Sequence, residues 1–497
     1  MRYPVHLCLL ILIILFTPIR VPYTGREDPV AEAAEGEYLI GLRRTDETVI
    51  NLLERSGLRV VRRIEEIGVF LVRVEAEVEI SEVVKALEQH PSIEYLEPNY
   101  LVKLPEGGLG PSLKTSEYTI ITPEGAVQQP NDPLYTSDPY TGRGQWNMRL
   151  IGMPEAWNLE MGTRTVKVAV VDTGVFYRHR DLQASYMDGG YDWVNGDPDP
   201  DDDYGHGSWV AGIIAAETGN GYGVAGMARV SIIAEKVLNY RGSGTIADLA
   251  SGITHAADLD VEIINLSLGT DSYSSTLKRA VEYAVGKGCL LVAAAGNRGT
   301  SQPHYPAAFD EVIAVASTYG EPEDVRAPYS NYGGWVTLSA PGGWDQDGDG
   351  IPEAGEYWII STDNRYDSFR LGTGTSASTP HVSGLAALIK SHHPEATSLD
   401  IRRVLESTAQ DKGAPGRDDY YGYGRIDAYR ALKQPLLTSV GGEGTIIEGQ
   451  TVDPVSPGMP TLTAAITIKT ILVGILLLRR RFKNGVEYGW RWARDGF

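Results

Sequence analysis

Cysteine is almost missing from this chain, with two in 497 residues. Cys8 lies in an N-terminal apolar run, and Cys289 lies in Gly288-Cys-Leu-Leu-Val-Ala-Ala-Ala295, which reads as a core strand. A mature chain without Cys8 has no internal disulfide, so its stability rests on packing and on bound metal. A thiol in an apolar strand is inert, which argues against Cys289 as a nucleophile. Basic charge is also scarce: 44 Lys and Arg face 65 Asp and Glu, a net charge of −21. That balance excludes nucleic acid as a partner. The deficit is uneven, because residues 460–497 hold seven basic and two acidic residues. An acidic body with a basic tail is the pattern of a membrane-orientation signal. What remains is ordinary globular material, 42% hydrophobic with 56 glycines. At about 150 residues per domain, the length suits two to four units.

Three segments carry chemistry. Val168-Ala-Val-Val-Asp-Thr-Gly174 is an apolar run ending in a carboxylate, as when a buried parallel strand delivers Asp172 to the carboxyl edge of an open α/β sheet. Asp203-Tyr-Gly-His-Gly-Ser-Trp-Val-Ala-Gly-Ile-Ile-Ala-Ala216 sets His206 between glycines at the start of an apolar helix. In Gly372-Thr-Gly-Thr-Ser-Ala-Ser-Thr-Pro-His-Val-Ser-Gly384, Ser376 stands at a helix start, with Pro380 expected in the first turn and Leu385–Ile389 continuing as buried helix. Free N–H groups and the positive dipole end face a serine so placed. Each feature alone is commonly a cap or a core residue. Together they are a nucleophile, a base that titrates near neutral pH and a carboxylate that orients it.

The order Asp, His, Ser with these flanks resembles the subtilisin-like serine proteases, and the resemblance covers roughly residues 36 to 435. It implies that Ser376 is the nucleophile, His206 the general base and acid, and Asp172 the carboxylate on the imidazole. Asn297, in Val292-Ala-Ala-Ala-Gly-Asn-Arg-Gly299, matches the family's oxyanion-hole residue. Two departures concern pocket shape and leave the four chemical groups intact. Ala377 stands where the family commonly has Met, and Ser208-Trp209 where it has Thr-His. The function implied is a serine endopeptidase acting on polypeptides through an acyl-enzyme. The competing reading is an inactive protease-fold binding protein on the cell surface.

Apolar strands alternate with helices across residues 131–435, the signature of a doubly wound parallel sheet, and the resemblance makes it subtilisin-like. The expected strands are 166–171, 231–236, 261–266, 290–295 and 312–316, and the helices include 245–257, 274–287 and 398–410. Before it, residues 36–104 read as a βαββαβ, ferredoxin-like α+β unit ending Ile93-Glu-Tyr-Leu-Glu-Pro-Asn99. By resemblance this is the inhibitory propeptide, an intramolecular partner of the enzyme. Residues 105–130 read as an exposed linker and maturation region without regular structure. Residues 1–24, with Leu7–Phe16 as apolar core, read as a secretory signal. A second linker, 436–459, leads to an apolar stretch at 460–478 that is expected to cross a membrane despite Lys469. The basic tail 479–497 would be cytoplasmic, leaving the catalytic domain outside the cell.

Two further sets of residues stand out. The resemblance implies a peptide substrate lying as an added strand between Gly242-Ser243-Gly244 and Ser267-Leu268-Gly269, with Ala294-Ala295-Gly296 lining a roomy apolar primary pocket. Asp345-Gln-Asp-Gly-Asp-Gly-Ile-Pro-Glu-Ala-Gly-Glu356 has acidic groups at positions 1, 3, 5 and 12 and Gly350 at position 6. That is the spacing of an EF-hand calcium loop, with Asp345, Asp347, Asp349 and Glu356 as side-chain ligands and Ile351 offering its carbonyl. Flanking helices are absent. The run Asp197–Asp203 is a weaker calcium candidate.

Overall fold

A computed structural model describes residues 32–43, 47–75, 83, 85, 87, 89–105, 107–114 and 130–436. The expected signal, membrane span and basic tail lie outside those residues. Among the described residues no helix is long and apolar enough to cross a membrane.

The N-terminal unit is β1 (Ala33–Leu42), α1 (Glu47–Arg55), β2 (Leu58–Ile64), β3 (Val69–Val74) and β4 (Ile93–Lys103), with strand order β2-β3-β1-β4. The second expected helix, 81–90, falls largely outside the described residues, but Leu87 is helical and fully buried. Alternation decides the packing. In β1, Ile40 and Leu42 join Val49, Leu53, Phe70 and Val72 in a small core of the unit's own. Leu39, Leu71 and Val102 instead enter the core of the larger, C-terminal domain. The two domains thus share one apolar face.

After the linker strand β5 (Leu109–Lys114), the larger domain is built on β6 (Lys167–Asp172), β7 (Tyr191–Asp192), α2 (His206–Ala215), β8 (Ser231–Lys236), β9 (Ser243–Thr245), α3 (Ile246–Asp258) and β10 (Ile263–Leu266). It continues with α4 (Ser275–Gly286), β11 (Leu290–Ala294), β12 (Ile313–Tyr319), β13 (Val325–Arg326), β14 (Leu338–Pro341), β15 (Ile359–Thr362), β16 (Ser368–Gly372), α5 (Thr375–His392), α6 (Ser398–Thr408) and α7 (Ala428–Lys433). The main sheet runs β13-β12-β11-β10-β6-β8-β7, with β14 also on β12, and its pairs are parallel except β12 with β13. Val168 and Val170 of β6 face a core shared with α2 and α5, whereas Ala169 and Val171 face α3 and α4. Burial on both faces explains why these strands are continuous apolar runs. After β8 the chain crosses β6 to add β10, β11 and β12 on its other side. The reversal leaves a crevice at the carboxyl ends of the strands, where Asp172 ends β6.

One expectation fails. The stretch after the N-terminal unit is not irregular throughout, because β5 pairs with β16 in a three-stranded sheet with β15. Its Gly, Pro and Ser content hides an anchor: Leu113 is 4% exposed and packs with Leu134, Tyr222, Trp358 and Phe369. Burying one leucine is worth about 1.5–3 kcal/mol, and the ladder to β16, Ser368 Oγ donating to Leu113 O and Ser112 Oγ donating to Asp363 add to it.

Candidate active site

Asp172 is fully buried and accepts hydrogen bonds from its neighbour, Thr173 N, at 2.7 Å and from His206 Nδ1 at 2.8 Å. Its second oxygen is 3.0 Å from the same imidazole nitrogen. An Nδ1–H that donates leaves Nε2 as the basic nitrogen, and His206 lines the cleft beside Leu104, Pro105 and Gly107. The loop between β6 and α2 is held by Asp202, which accepts from Tyr204 N, Gly205 N, Ser208 N and Ser208 Oγ and so caps α2. Lys236, 1% exposed, bonds Thr173 O, Leu238 O and Asp203 from beneath. Gly207 is required by close approach, since a Cβ there would lie 2.0 Å from Gly174 O. The acidic run 197–203 is therefore engaged in structure: Asp201 pairs with Arg178, Asp202 with the helix start and Asp203 with Lys236.

Ser376 is the second residue of α5. Pro380 sits inside this helix rather than in its first turn, which corrects the sequence expectation. A proline there lacks the N–H that would have bonded the carbonyl of Ser376. Ser267 Oγ takes that place, donating to Ser376 O at 3.0 Å, and is itself held by Asn265 Nδ2. A defect in the helix thus becomes a tie between the serine and the end of β10. His381, one turn further on, is fully buried, and burial pushes its pKa down to about 4. Nδ1 donates to Ala377 O, Nε2 accepts from Asn147, and the ring is a neutral core histidine.

Asn297 follows β11. Its Oδ1 accepts from Thr375 N at 2.8 Å and Thr375 Oγ1 at 2.7 Å. Because an N–H can donate only to the oxygen, the amide orientation is fixed and Nδ2 is turned the other way. Nδ2 is buried with no partner. A Cβ on Gly374 would lie 2.8 Å from this nitrogen and 3.1 Å from Ser376 Oγ, so the two polar atoms flank one small space that only glycine leaves open. Thr375 was in view in the sequence as part of the Ser376 motif, but nothing in its pattern announced that it aims Asn297.

The junction between the N-terminal unit and the linker crosses this space. Lys103 N donates to Gly269 O and Gly269 N to Lys103 O, both at 3.1 Å, and Leu104 N donates to Gly242 O at 3.1 Å. Lys103 also pairs with Ser243 and Val102 with Gly244, so the end of β4 is an added strand between two segments of the larger domain. Beyond the crossing, Thr373 N donates to Gly108 O at 3.3 Å and β5 joins β16. Gly107 lies between, where a Cβ would be 3.0 Å from Asn297 Nδ2. Upstream, the Glu97 carboxylate accepts from Ser274 Oγ, Ser275 N and Thr276 N at the start of α4, and Asn99 Oδ1 accepts from Ala247 N at the start of α3. Two side chains of the N-terminal unit therefore satisfy orphan donors of two helices in the larger domain.

Of the predicted groove residues, Gly242, Ser243, Gly244 and Gly269 meet the end of the N-terminal unit, at Val102, Lys103 and Leu104. Ser267, Leu268, Ala294 and Ala295 have fully buried side chains, with Leu268 and Ala294–Ala295 in the core. Gly296 does reach the pocket, but the wall beyond it is not apolar: it carries Asp271, Arg298 and His304. Cys289 is buried, donates to Val261 O, and is pushed up to about 12 by burial. In the acidic loop, Asp345, Asp347 and Asp349 bring carboxylate oxygens within 4.8 Å of one another. Glu356 stands apart, because Gln346 N, Glu353 N and Trp358 Nε1 occupy its oxygens. Ile351 donates its N–H to Asp349, and its side chain is exposed. A second acidic place escaped the sequence because its parts are distant. Asp132 and Asp181, both buried, are joined through Asn220, whose N donates to the first and Nδ2 to the second. Burial pushes Asp132 up to about 6 and Asp181 up to about 8. Two buried carboxylates without a cation partner fit a hard, oxygen-loving ion.

The family description "Subtilase family" matches residues 163–424, and that of the fervidolysin N-terminal prodomain matches residues 22–99. The thermophilic serine proteinase of Bacillus sp. (strain AK1) is 40% identical over 356 residues, covering 71% of this chain and 76% of that protein. Thermitase of Thermoactinomyces vulgaris is 42% identical over 300 residues, 60% of this chain and 99% of thermitase. Among solved structures, fervidolysin from Fervidobacterium pennivorans, a keratinolytic enzyme, superposes with a TM-score of 0.69 at 28% identity, over 83% of this chain and 63% of its own.

Proposed function

Because the chain belongs to the subtilase family, a family of serine peptidases, we propose that it is an endopeptidase made as a self-processing zymogen, with Asp172, His206 and Ser376 as its triad. The observation that carries this reading is Asn297 Nδ2, buried and unpartnered beside Ser376 Oγ under a crossing peptide. In this reading His206 Nε2 takes the serine proton as Oγ attacks the carbonyl and returns it to the leaving amine. Asp172 holds the tautomer and balances the transient imidazolium. Asn297 Nδ2 and the backbone N–H of Ser376 receive the oxyanion. Residues 36–104 are the inhibitor, seated with their last strand in the groove. The test is labelling with a serine-directed fluorophosphonate followed by peptide mapping. Modification of Ser376 in the mature enzyme is expected, and an unlabelled, inert protein would instead make it a binding protein.

Calcium belongs to the same proposal, at the Asp345–Asp349 loop and at the Asp132–Asp181 pair. Raised carboxyl pKa values mean that the folded chain, without metal, binds more protons than the unfolded chain between the ordinary carboxylate range and about pH 8. Stability in chelator is therefore expected to fall as pH rises from about 4 to about 8. A bound cation removes that cost, so calcium should restore melting by roughly 5–10 °C at pH 8 and by little at pH 4. Asp347→Ala with Asp349→Ala isolates the loop's share, leaving the pH-dependent part to the buried pair. A calcium response equal at both pH values would remove Asp132 and Asp181 from the proposal.

Export and anchoring complete it. Residues 1–24 direct secretion, and 460–478 with the following arginines tether the enzyme with its catalytic domain outside. Release of the full-length mature form by carbonate without detergent would count against the tether.

A further inference from the structure

The cleft wall next to Asn297 holds charged and polar groups that the triad does not use. Gly269, Asp271, Gly296, Arg298 and His304 line a pocket that Leu104, the last residue of the N-terminal unit, and Pro105 of the linker also border. It opens beside the proposed oxyanion donor, where the side chain preceding a cut bond has to go. His304 is 8% exposed, and its Nδ1 donates to Asp271 Oδ1 at 3.0 Å. Its Nε2 is buried with no partner. The ring slips between two glycines, since a Cβ on Gly269 would lie 2.4 Å from Nε2 and one on Gly296 3.2 Å from Cγ. Arg298 pairs with the other oxygen of Asp271 and keeps about a third of its side chain exposed.

We propose that this pocket selects a carboxylate side chain, glutamate above all, immediately before the scissile bond, with His304 and Arg298 as its specificity-determining residues. The proposal rests on the endopeptidase reading. A buried nitrogen without a partner costs free energy until a ligand supplies one. Glu32 and Lys103, which also line the pocket, belong to the N-terminal unit and pair with each other, so within the larger domain Asp271 is a single negative charge facing two basic groups. A substrate carboxylate between Arg298 and Nε2 brings the count to two acids and two bases, with the second imidazole proton taken from solvent. A large apolar side chain would leave Nε2 unsatisfied and cover it from water. A lysine would add a third cation. In the sequence, Glu106 is the one acidic residue between Leu101 and Leu113, so self-cleavage after it is the corresponding expectation.

Four peptide p-nitroanilides identical except for Glu, Gln, Phe or Lys before the cleaved bond test this directly. The expected kcat/KM for Glu is at least tenfold above Gln and above Phe, and about a hundredfold above Lys. Arg298→Gln, at the rim, and His304→Gln, at the floor, should each lower the Glu-to-Phe ratio by at least tenfold, with fluorophosphonate labelling verifying that the variant is folded. Gln cleaved as well as Glu overturns the proposal, as does Phe preferred by the wild type. A ratio that neither variant changes also overturns it. Turnover with a flat profile defeats only the pocket assignment, whereas no turnover of any peptide together with no label on Ser376 defeats the endopeptidase reading.

Discussion

Ser376→Ala is expected to lower peptide hydrolysis by about a millionfold, a size known from subtilisin itself rather than derived from this geometry. The loss follows from chemistry that no neighbour can replace, because His206 then has no proton to take and no acyl-enzyme forms. The fold should be untouched. The tie that fixes this turn runs from Ser267 to the backbone carbonyl of residue 376, which alanine also has. Melting within about 2 °C of wild type is therefore expected. The variant should also stay at precursor length when expressed without other proteases. Hydrolysis within tenfold of wild type, measured on protein free of contaminating enzyme, would sink the assignment.

Asn297 should show the next largest effect, and two substitutions separate its roles. Asn297→Ala removes the Nδ2 donor together with the acceptor for Thr375 N and Oγ1. Turnover should fall by about 10²–10³ with KM little changed, since the oxyanion exists only on the way through the reaction. Melting should fall as well, because two buried donors lose their partner at a cost of about 1–3 kcal/mol. Asn297→Asp keeps an oxygen for Thr375 but turns a second oxygen toward the developing charge. Its turnover should drop at least as far as alanine's while its melting recovers. A change confined to KM in both variants would make Asn297 a ground-state binding residue.

The sheet was legible because burial on both faces writes continuous apolar runs, and each expected strand lies within a few residues of the observed one. The groups of the site were legible for a related reason: each borders such a run, with Asp172 ending β6, His206 starting α2 and Ser376 in the first turn of α5. Side chains acting across long sequence separations were not legible. Thr375 aims Asn297 from 78 residues away, and Glu97 caps a helix about 180 residues on. The pocket was misread for the same reason. Ala294–Gly296 suggested small apolar walls, but both alanines are fully buried in the core. The groups that face the pocket come from loops around Asp271 and His304, where no periodicity marks orientation. β5 escaped notice because Leu113 is its one deeply buried side chain and the rest of its hold is a backbone ladder to β16, which no side-chain pattern announces.

The crossing made by Lys103–Pro105 and Gly107–Gly108 has a kinetic meaning. A segment bound on both sides of the reactive serine, within the molecule that carries that serine, does not have to meet it by diffusion. In the proposed self-processing its first cleavage is expected to be first order in precursor, and a nanomolar solution should mature with the same half-time as a micromolar one. Dilution, which slows every later encounter with other proteins, leaves the birth of the enzyme untouched.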